Sequence, residues 1–298
     1  MAKGEKEIRR RIKSVKSTQQ ITRAMKMVAS AKLKKSQNAT ERAKPYSVTM
    51  VRVIDHLVRA LPDYDHPLLR QPDLEQRDIL LVLYTSDKGL CGSFNSNLVR
   101  TAERFMRGRP EDRHHLLTIG KYGSGYFRRR GYDLVDARDS YDFGTHYYDL
   151  VDLYDLLEKS FLQGTYSEVW LLFSRFINPA QQAPTLLKLL PVEHEGLLSE
   201  LEPEERELTP EEEDLVFAPD RWKVLDALLP RFVRYSVFNA VRETYTSENA
   251  ARMLAMDNAT KNAGEMIDHL TLQYNKARQQ AITLELLDIV GGAEALKG

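Results

Sequence analysis

No proline follows Pro230, and in that stretch apolar or small residues return at alternating intervals of three and four. They are Met253, Met256, Thr260, Ala263, Ile267, Leu270, Tyr274, Ala277, Ala281 and Leu284. The spacing is a heptad seam and predicts one helix from about Phe232 to Ile289. At about 1.5 Å per residue such a helix is roughly 90 Å long. A core built from 298 residues cannot cover a rod of that length, so the helix needs a partner. Ala and Thr at many seam positions require that partner to come close.

The other terminus offers one. Residues 3–44 contain no proline, and Gly4 is their only glycine. Ile8, Ile12 and Val15 start a helical stripe, and Ile21, Met25 and Val28 resume it after a polar slip across Thr18, Gln19 and Gln20. At the slip either the stripe or the partner changes face. Pro45 is expected to kink this helix. Val48, Val51, Ile54, Leu57 and Val58 continue the pattern until "LPDYDHPLLRQPD" ends it. The simplest assembly is an antiparallel coiled coil of the two termini, with the longer C-terminal helix running past its partner. Its last stretch, "LELLDIVGGAEALKG", is apolar on several sides and calls for a socket.

Between the termini the period changes. "DILLVLYT" (78–85), "HLLTIG" (115–120), "EVWLLFSRF" (168–176) and "TLLKLLPV" (185–192) read as strands, the last two as a hairpin. "NSNLVRTAERFMRG" (95–108) and "YYDLVDLYDLLEKSFLQG" (147–164) read as helices, and "APDRWKVLDALL" (218–229) as a short helix before a new one starting at Pro230. Strand–helix alternation predicts an α/β layer with a mostly parallel sheet. The expected fold is therefore α/β plus a long coiled coil, with a Rossmann-like domain inserted between the coil's helices. The expected divisions are an N-terminal coil helix at 1–60, the α/β domain at 74–194, an acidic loop at 195–218, and the C-terminal helix and apolar tip at 219–298.

Overall charge is balanced, with 43 basic and 43 acidic residues, but it is segregated. Residues 1–44 hold 14 Lys/Arg against three Asp/Glu, and residues 195–214 hold ten Asp/Glu against one Arg. The single cysteine, Cys91, allows no intrachain disulfide and fits a reducing compartment. No apolar run reaches the length of a membrane span. The basic N-terminal helix could meet nucleic acid through phosphates. Aromatics are absent before Tyr46, however, and a solvated or protein-facing surface fits better, so no nucleic-acid partner is expected.

"TSDKGLCGSFNSN" (85–97) follows a strand and precedes a helix, where a phosphate loop would sit. It matches neither the P-loop nor the dinucleotide fingerprint. Cys91 reads as a small buried hydrophobe rather than a nucleophile. No Cys/His spacing fits zinc, and neither a cofactor nor a metal is expected. The alternative function is a stand-alone α/β enzyme with its site at "SDKGLCGS" and the helices as a dimerisation stalk.

Three stretches together resemble one family. "IRRRIKSVKSTQQITRAMKMVASAKL" is similar to the N-terminal helix of the gamma subunits of bacterial F-type ATP synthases. "TSDKGLCGSFNSN" resembles their mid-chain motif. "SENAARMLAMDNATKNA" with "LTLQYNKARQQAITLELLDIVGGAEAL" resembles their C-terminal helix. The resemblance implies a non-catalytic central shaft inside a ring of alpha and beta subunits, coupling proton-driven rotation to ATP synthesis or hydrolysis. It implies an epsilon subunit and a membrane rotor c-ring as further partners. The expected place is peripheral, on the cytoplasmic face of a bacterial membrane. By resemblance Met25, Lys26, Lys88, Arg278, Gln279 and Thr283 are contacts with beta subunits, and Leu286, Leu287, Ile289 and Val290 turn in an apical sleeve. Lys26 departs from relatives that carry Glu there. The acidic segment is unusually charged for the family and is expected to face the epsilon subunit.

Overall fold

The computed structural model describes residues 3–62, 64–71, 77–193, 197 and 217–295. The acidic segment, Leu197 apart, lies outside them. The chain divides into two compact units, one of residues 1–29 and 252–298, the other of residues 30–251.

The larger unit is built on a five-stranded sheet. Its strands are β1 (Asp78–Tyr84), β2 (Arg113–Ile119), β3 (Leu134–Arg138), β4 (Glu168–Asn178) and β5 (Gln181–Leu190). Their order across the sheet is β3-β2-β1-β4-β5. β1 pairs in parallel with β2 and β4, and β2 with β3. β5 returns antiparallel on β4 as the expected hairpin. Helices α2 (Phe94–Arg107), α3 (Lys121–Arg128) and α4 (Val151–Leu162) supply the crossovers, α4 entering through a 3-10 turn at Tyr147–Leu150. This is the Rossmann-like arrangement read from the alternation of strands and helices.

Alternation along β1 sends Leu80, Val82 and Tyr84 to one face and Leu81 and Leu83 to the other, all buried. A central parallel strand has a core on both faces, so its sequence reads as an unbroken apolar run. On the first face lie Met50, Val51, Ile54 and Leu57 of helix α1 (Lys3–Ala60) with Leu153 and Leu157 of α4. Leu225, Leu229, Phe232, Val233 and Val237 of helix α5 (Arg221–Ala295) complete that layer. Phe94, Leu98, Val99, Ala102 and Met106 of α2 cover the second face with Phe127 of α3.

Three expectations change. β3 and α3 went unread in the sequence, because "LVDAR" is a short edge strand of half-buried and exposed residues without an apolar run and "KYGSGYFR" carries two glycines. The separate helix at 218–229 does not exist, since α5 is one helix through Pro230. Leu225, Leu229, Phe232 and Val233 are all buried on the sheet side, and this packing outweighs the one hydrogen bond that the proline forgoes. α1 continues past Pro45 to Ala60, as the resumed stripe predicted. The third change concerns the register of the N-terminal stripe.

Candidate functional site

In the smaller unit the N-terminal part of α1 lies antiparallel to the C-terminal part of α5. Contacts descend along α5 as they climb along α1. Tyr274 donates its hydroxyl to Glu5 Oε1 at 3.1 Å, and Gln19 Nε2 reaches the Thr260 carbonyl at 3.4 Å. The hydroxyls of Thr22 and Thr260 meet at 2.8 Å, and Lys26 Nζ lies 2.6 Å from Asp257 Oδ1. Each hydroxyl also reaches a carbonyl of its own helix, Thr22 that of Gln19 at 3.0 Å and Thr260 that of Met256 at 2.7 Å.

These rungs show that the N-terminal stripe does not slip. Glu5, Ile8, Ile12, Val15, Gln19, Thr22, Lys26 and Ala29 are buried or half-buried at alternating steps of three and four. The seam passes through polar residues, which an apolar-only count misses. Ile21 and Val28, counted into the stripe from sequence, are each 57% exposed. On α5 the seam from Met253 to Ala281 is buried or half-buried as its spacing requires, whereas Leu284 is exposed. Close approach is built in at Gly264, where an added Cβ would sit 3.2 Å from Gln19 Nε2.

Met25 and Lys26 are half-buried on this pair. The ammonium of Lys26 is taken up by Asp257, which Lys261 also approaches at 3.1 Å. Hydrogen bonds from Lys26 and then Lys261 hold the Asp257 carboxyl below its usual range. Beyond Tyr274, α5 continues to Ala295. Arg278, Gln279 and Thr283 are exposed there. Thr283 Oγ1 donates to the Gln279 carbonyl at 2.9 Å. This spends its proton within the helix and leaves the oxygen as an acceptor. Leu286, Leu287, Ile289 and Val290 follow, exposed by 58 to 67%.

Lys88 belongs to the other unit and is exposed on the loop after β1. That loop is internally tied. Asn95 accepts from the Ser86 N–H at 3.0 Å and donates to Ser86 Oγ at 2.8 Å, and Ser86 Oγ donates to the Lys88 carbonyl at 2.7 Å. Cys91 is buried 3.4 Å from Asn95 Nδ2. Asp87 Oδ1 accepts from Lys121 N and Ser140 N, both at 2.9 Å, and so pins three loops at the carboxyl edge of the sheet. Leu90 and Gly92 adopt positive φ of 63° and 60°. These residues shape a turn whose polar groups face one another. Open α/β sheets bind ligands at this carboxyl edge. Here Val241, Thr244, Tyr245 and Glu248 of α5 lie over Tyr84, Thr85 and Ile119, leaving a cavity of about 10 Å³. That is about the space of a single water molecule. Among the described residues no group of three His, Cys, Asp or Glu side chains could hold a metal ion.

The chain thus combines a doubly wound sheet whose carboxyl edge is covered by α5 with an antiparallel helical pair that has polar rungs and an exposed apolar end. A family model described as ATP synthase matches residues 4–296. The ATP synthase gamma chain of Pelotomaculum thermopropionicum is 40% identical over 294 residues, covering 98% of this chain and 99% of that one. The gamma chain of Desulforamulus reducens is 41% identical over 292 residues, with the same coverage. Among solved structures, a chain of the Tetrahymena thermophila mitochondrial ATP synthase central stalk and c-ring aligns with a TM-score of 0.57 and 27% identity. The match covers 80% of this chain and 99% of that one. A chain of the Euglena gracilis mitochondrial enzyme shares the fold at a TM-score of 0.66 and 19% identity, covering 98% of this chain and 94% of that one. The chain belongs to the ATP synthase family, among its gamma chains.

Proposed function

We propose that this chain is the central rotor shaft of a bacterial F-type ATP synthase. It couples proton-driven rotation of the membrane ring to ATP synthesis or hydrolysis in a ring of alpha and beta subunits. The observation that carries this reading is the family match over almost the whole length, joined to an antiparallel helical pair with polar rungs. The shaft itself is non-catalytic, a reading supported by the filled carboxyl edge of the sheet and the internally satisfied loop after β1. That geometry does not favour the stand-alone enzyme.

A shaft acts on its ring as a ligand acts on a two-state protein. It shifts the catalytic sites only through contacts that differ among their states. Arg278, exposed and beyond the last rung, offers a planar fork to carboxylates of a beta subunit. Gln279 can donate and accept beside it, and Thr283 serves as acceptor. Met25 contributes from the partner helix. Lys26 would have to share its charge with Asp257. Lys88 is a further beta contact. Leu286, Leu287, Ile289 and Val290 would be an expensive apolar surface in water, and an apical sleeve removes that cost. The epsilon subunit and the c-ring would meet the α/β domain, and the acidic segment 195–214 would face epsilon. No helix among the described residues is long and apolar enough to cross a membrane. On this reading the chain sits peripherally, on the cytoplasmic face.

The test is to co-express the chain with alpha and beta subunits from the same genome, tether the ring, and attach a probe to an engineered cysteine on the α/β domain. One chain per ring with unidirectional, ATP-dependent rotation is expected. A chain that binds the outside of the ring, or never enters a competent one, rejects the shaft.

A further inference from the structure

A second cavity, of about 40 Å³, lies between the segment after β3 and α5. It is lined by Ser36, Asp142, Phe143, Thr145, Val241, Arg242 and Tyr245. That is room for roughly three waters, or one small polyatomic ion, and far too little for a nucleoside. Arg242 Nη2 is buried there without a hydrogen-bond acceptor among the described residues. A guanidinium stays charged at any physiological pH, and a buried charged donor left unmatched is costly. Its neighbouring carboxylate, Glu243, acts on it through charge but makes no hydrogen bond to Nη2; Glu243 Oε2 accepts from the Phe176 N–H at 2.7 Å.

The other lining groups narrow the ligand. Thr246 Oγ1 donates to the Arg242 carbonyl at 2.8 Å, so in its short contact with Ser36 the serine is the donor. Ser36 therefore has no proton left for a ligand. Thr145 Oγ1 accepts from the Asp142 N–H at 3.2 Å and keeps its own proton. Lys35 stands 4.3 Å from the ring centre of Phe143 and adds positive potential. Asp142 brings the one carboxylate of the lining, one oxygen of which accepts from the Gly144 N–H at 2.7 Å.

Arg242 and Thr145 as donors beside the Asp142 carboxylate do not suit every anion. Sulfate has no proton near neutral pH and would face the Asp142 carboxylate with nothing to donate. A halide is similarly mismatched. A protonated oxyanion carries both the acceptor oxygens that Arg242 and Thr145 require and an O–H for Asp142. We propose that this cavity is a site for free inorganic phosphate in a protonated form, with Arg242 and Thr145 donating to its oxygens and Asp142 accepting from its P–OH. The proposal does not rest on the shaft function, because it concerns the chain's own binding chemistry. It gives the subunit a site for a small ion that is also a reactant of ATP synthesis.

The experiment is calorimetric titration of the full-length chain with sodium phosphate, sulfate and chloride at pH 7 and matched ionic strength, without alpha and beta subunits. Saturable phosphate binding is expected, with sulfate at least about tenfold weaker, since specificity here comes from a repulsive carboxylate. Arg242→Gln should abolish phosphate binding, and Thr145→Val, which leaves the charges intact, should weaken it. Asp142→Asn should bring sulfate to within a few-fold of phosphate. Absence of saturation overturns the site, as does equal response to all three anions or unchanged binding in Thr145→Val and Arg242→Gln. Sulfate that remains excluded from Asp142→Asn overturns the role of Asp142.

Discussion

Lys26 and Asp257, one from each helix of the terminal pair, are joined at 2.6 Å and add a charged rung beside the neutral rungs of Gln19, Thr22 and Thr260. Their charges fix which turn of α1 faces which turn of α5. A seam of Ala, Thr and Gly carries little shape information, and a polar rung in such a seam specifies register. Lys26→Glu should therefore destabilise the helical pair by placing two carboxylates together, and Asp257→Lys should do so by placing two ammonium groups together. The double exchange should recover most of the loss. Thermal unfolding of the four chains reads the coupling directly, and no recovery in the double variant would reduce Lys26 to a surface charge.

Arg278 and Gln279 are exposed beyond the last rung, so replacing both with Ala should leave the fold and unfolding temperature essentially unchanged. ATP-driven torque and ATP synthesis in the assembled enzyme should fall. Leu287→Ser with Ile289→Ser should instead lower assembly of the shaft into its ring. Rotation and synthesis assays on purified complexes separate the two effects.

His66 introduces a dependence on pH. It is buried, its Nδ1 accepts from the Leu68 N–H at 3.1 Å, and burial lowers its pKa from the ordinary value. In the unfolded chain it titrates near 6.5. The fold thus favours the neutral ring, and its contribution is complete above about pH 6.5 and is lost progressively as pH falls toward the depressed value. Urea midpoints at pH 7.5 and 5.5 should differ more for the native chain than for His66→Gln.

Glu243 works in the opposite direction. Burial raises its pKa above the ordinary carboxyl value, against the Phe176 N–H that lowers it. Its folded-state pKa exceeds its unfolded one, so stability from this group is present at acid pH and lost as pH rises through the folded value. Glu243→Gln keeps an acceptor for Phe176 and removes the buried charge. It should equal or exceed the native chain in stability at pH 7 and lose that advantage near pH 4. Glu243→Leu strands the Phe176 N–H and should cost about 1–3 kcal/mol. Denaturant titration at both pH values decides the sign.

Gly120 ends β2 with φ of 99°, and a Cβ there would lie 2.2 Å from the Thr85 carbonyl oxygen. Gly120→Ala combines a left-handed backbone with a backbone clash and should cost more than about 3 kcal/mol. Loss of the cooperative unfolding transition, or insoluble expression, is the expected result.

The sequence by itself determined the long C-terminal helix, the strand–helix alternation of the middle, and the need for a helical partner. Periodicity is local, so Met253 to Ala281 announce a seam without any knowledge of what lies opposite. Four strands were legible: β1, β2 and β4 because parallel strands with a core on both faces carry apolar runs, and the antiparallel β5 from its own run of leucines. The exposed apolar end at Leu286 to Val290 was equally visible. Tertiary structure alone decided the register through Gln19 and Thr22, since a polar residue joins a seam only when a specific partner, here Thr260, satisfies it. It decided that α5 passes through Pro230, because flanking burial on the sheet outweighs a local helix breaker. It also put Thr145 and Arg242 around one cavity, a juxtaposition of residues almost a hundred positions apart that no local pattern encodes.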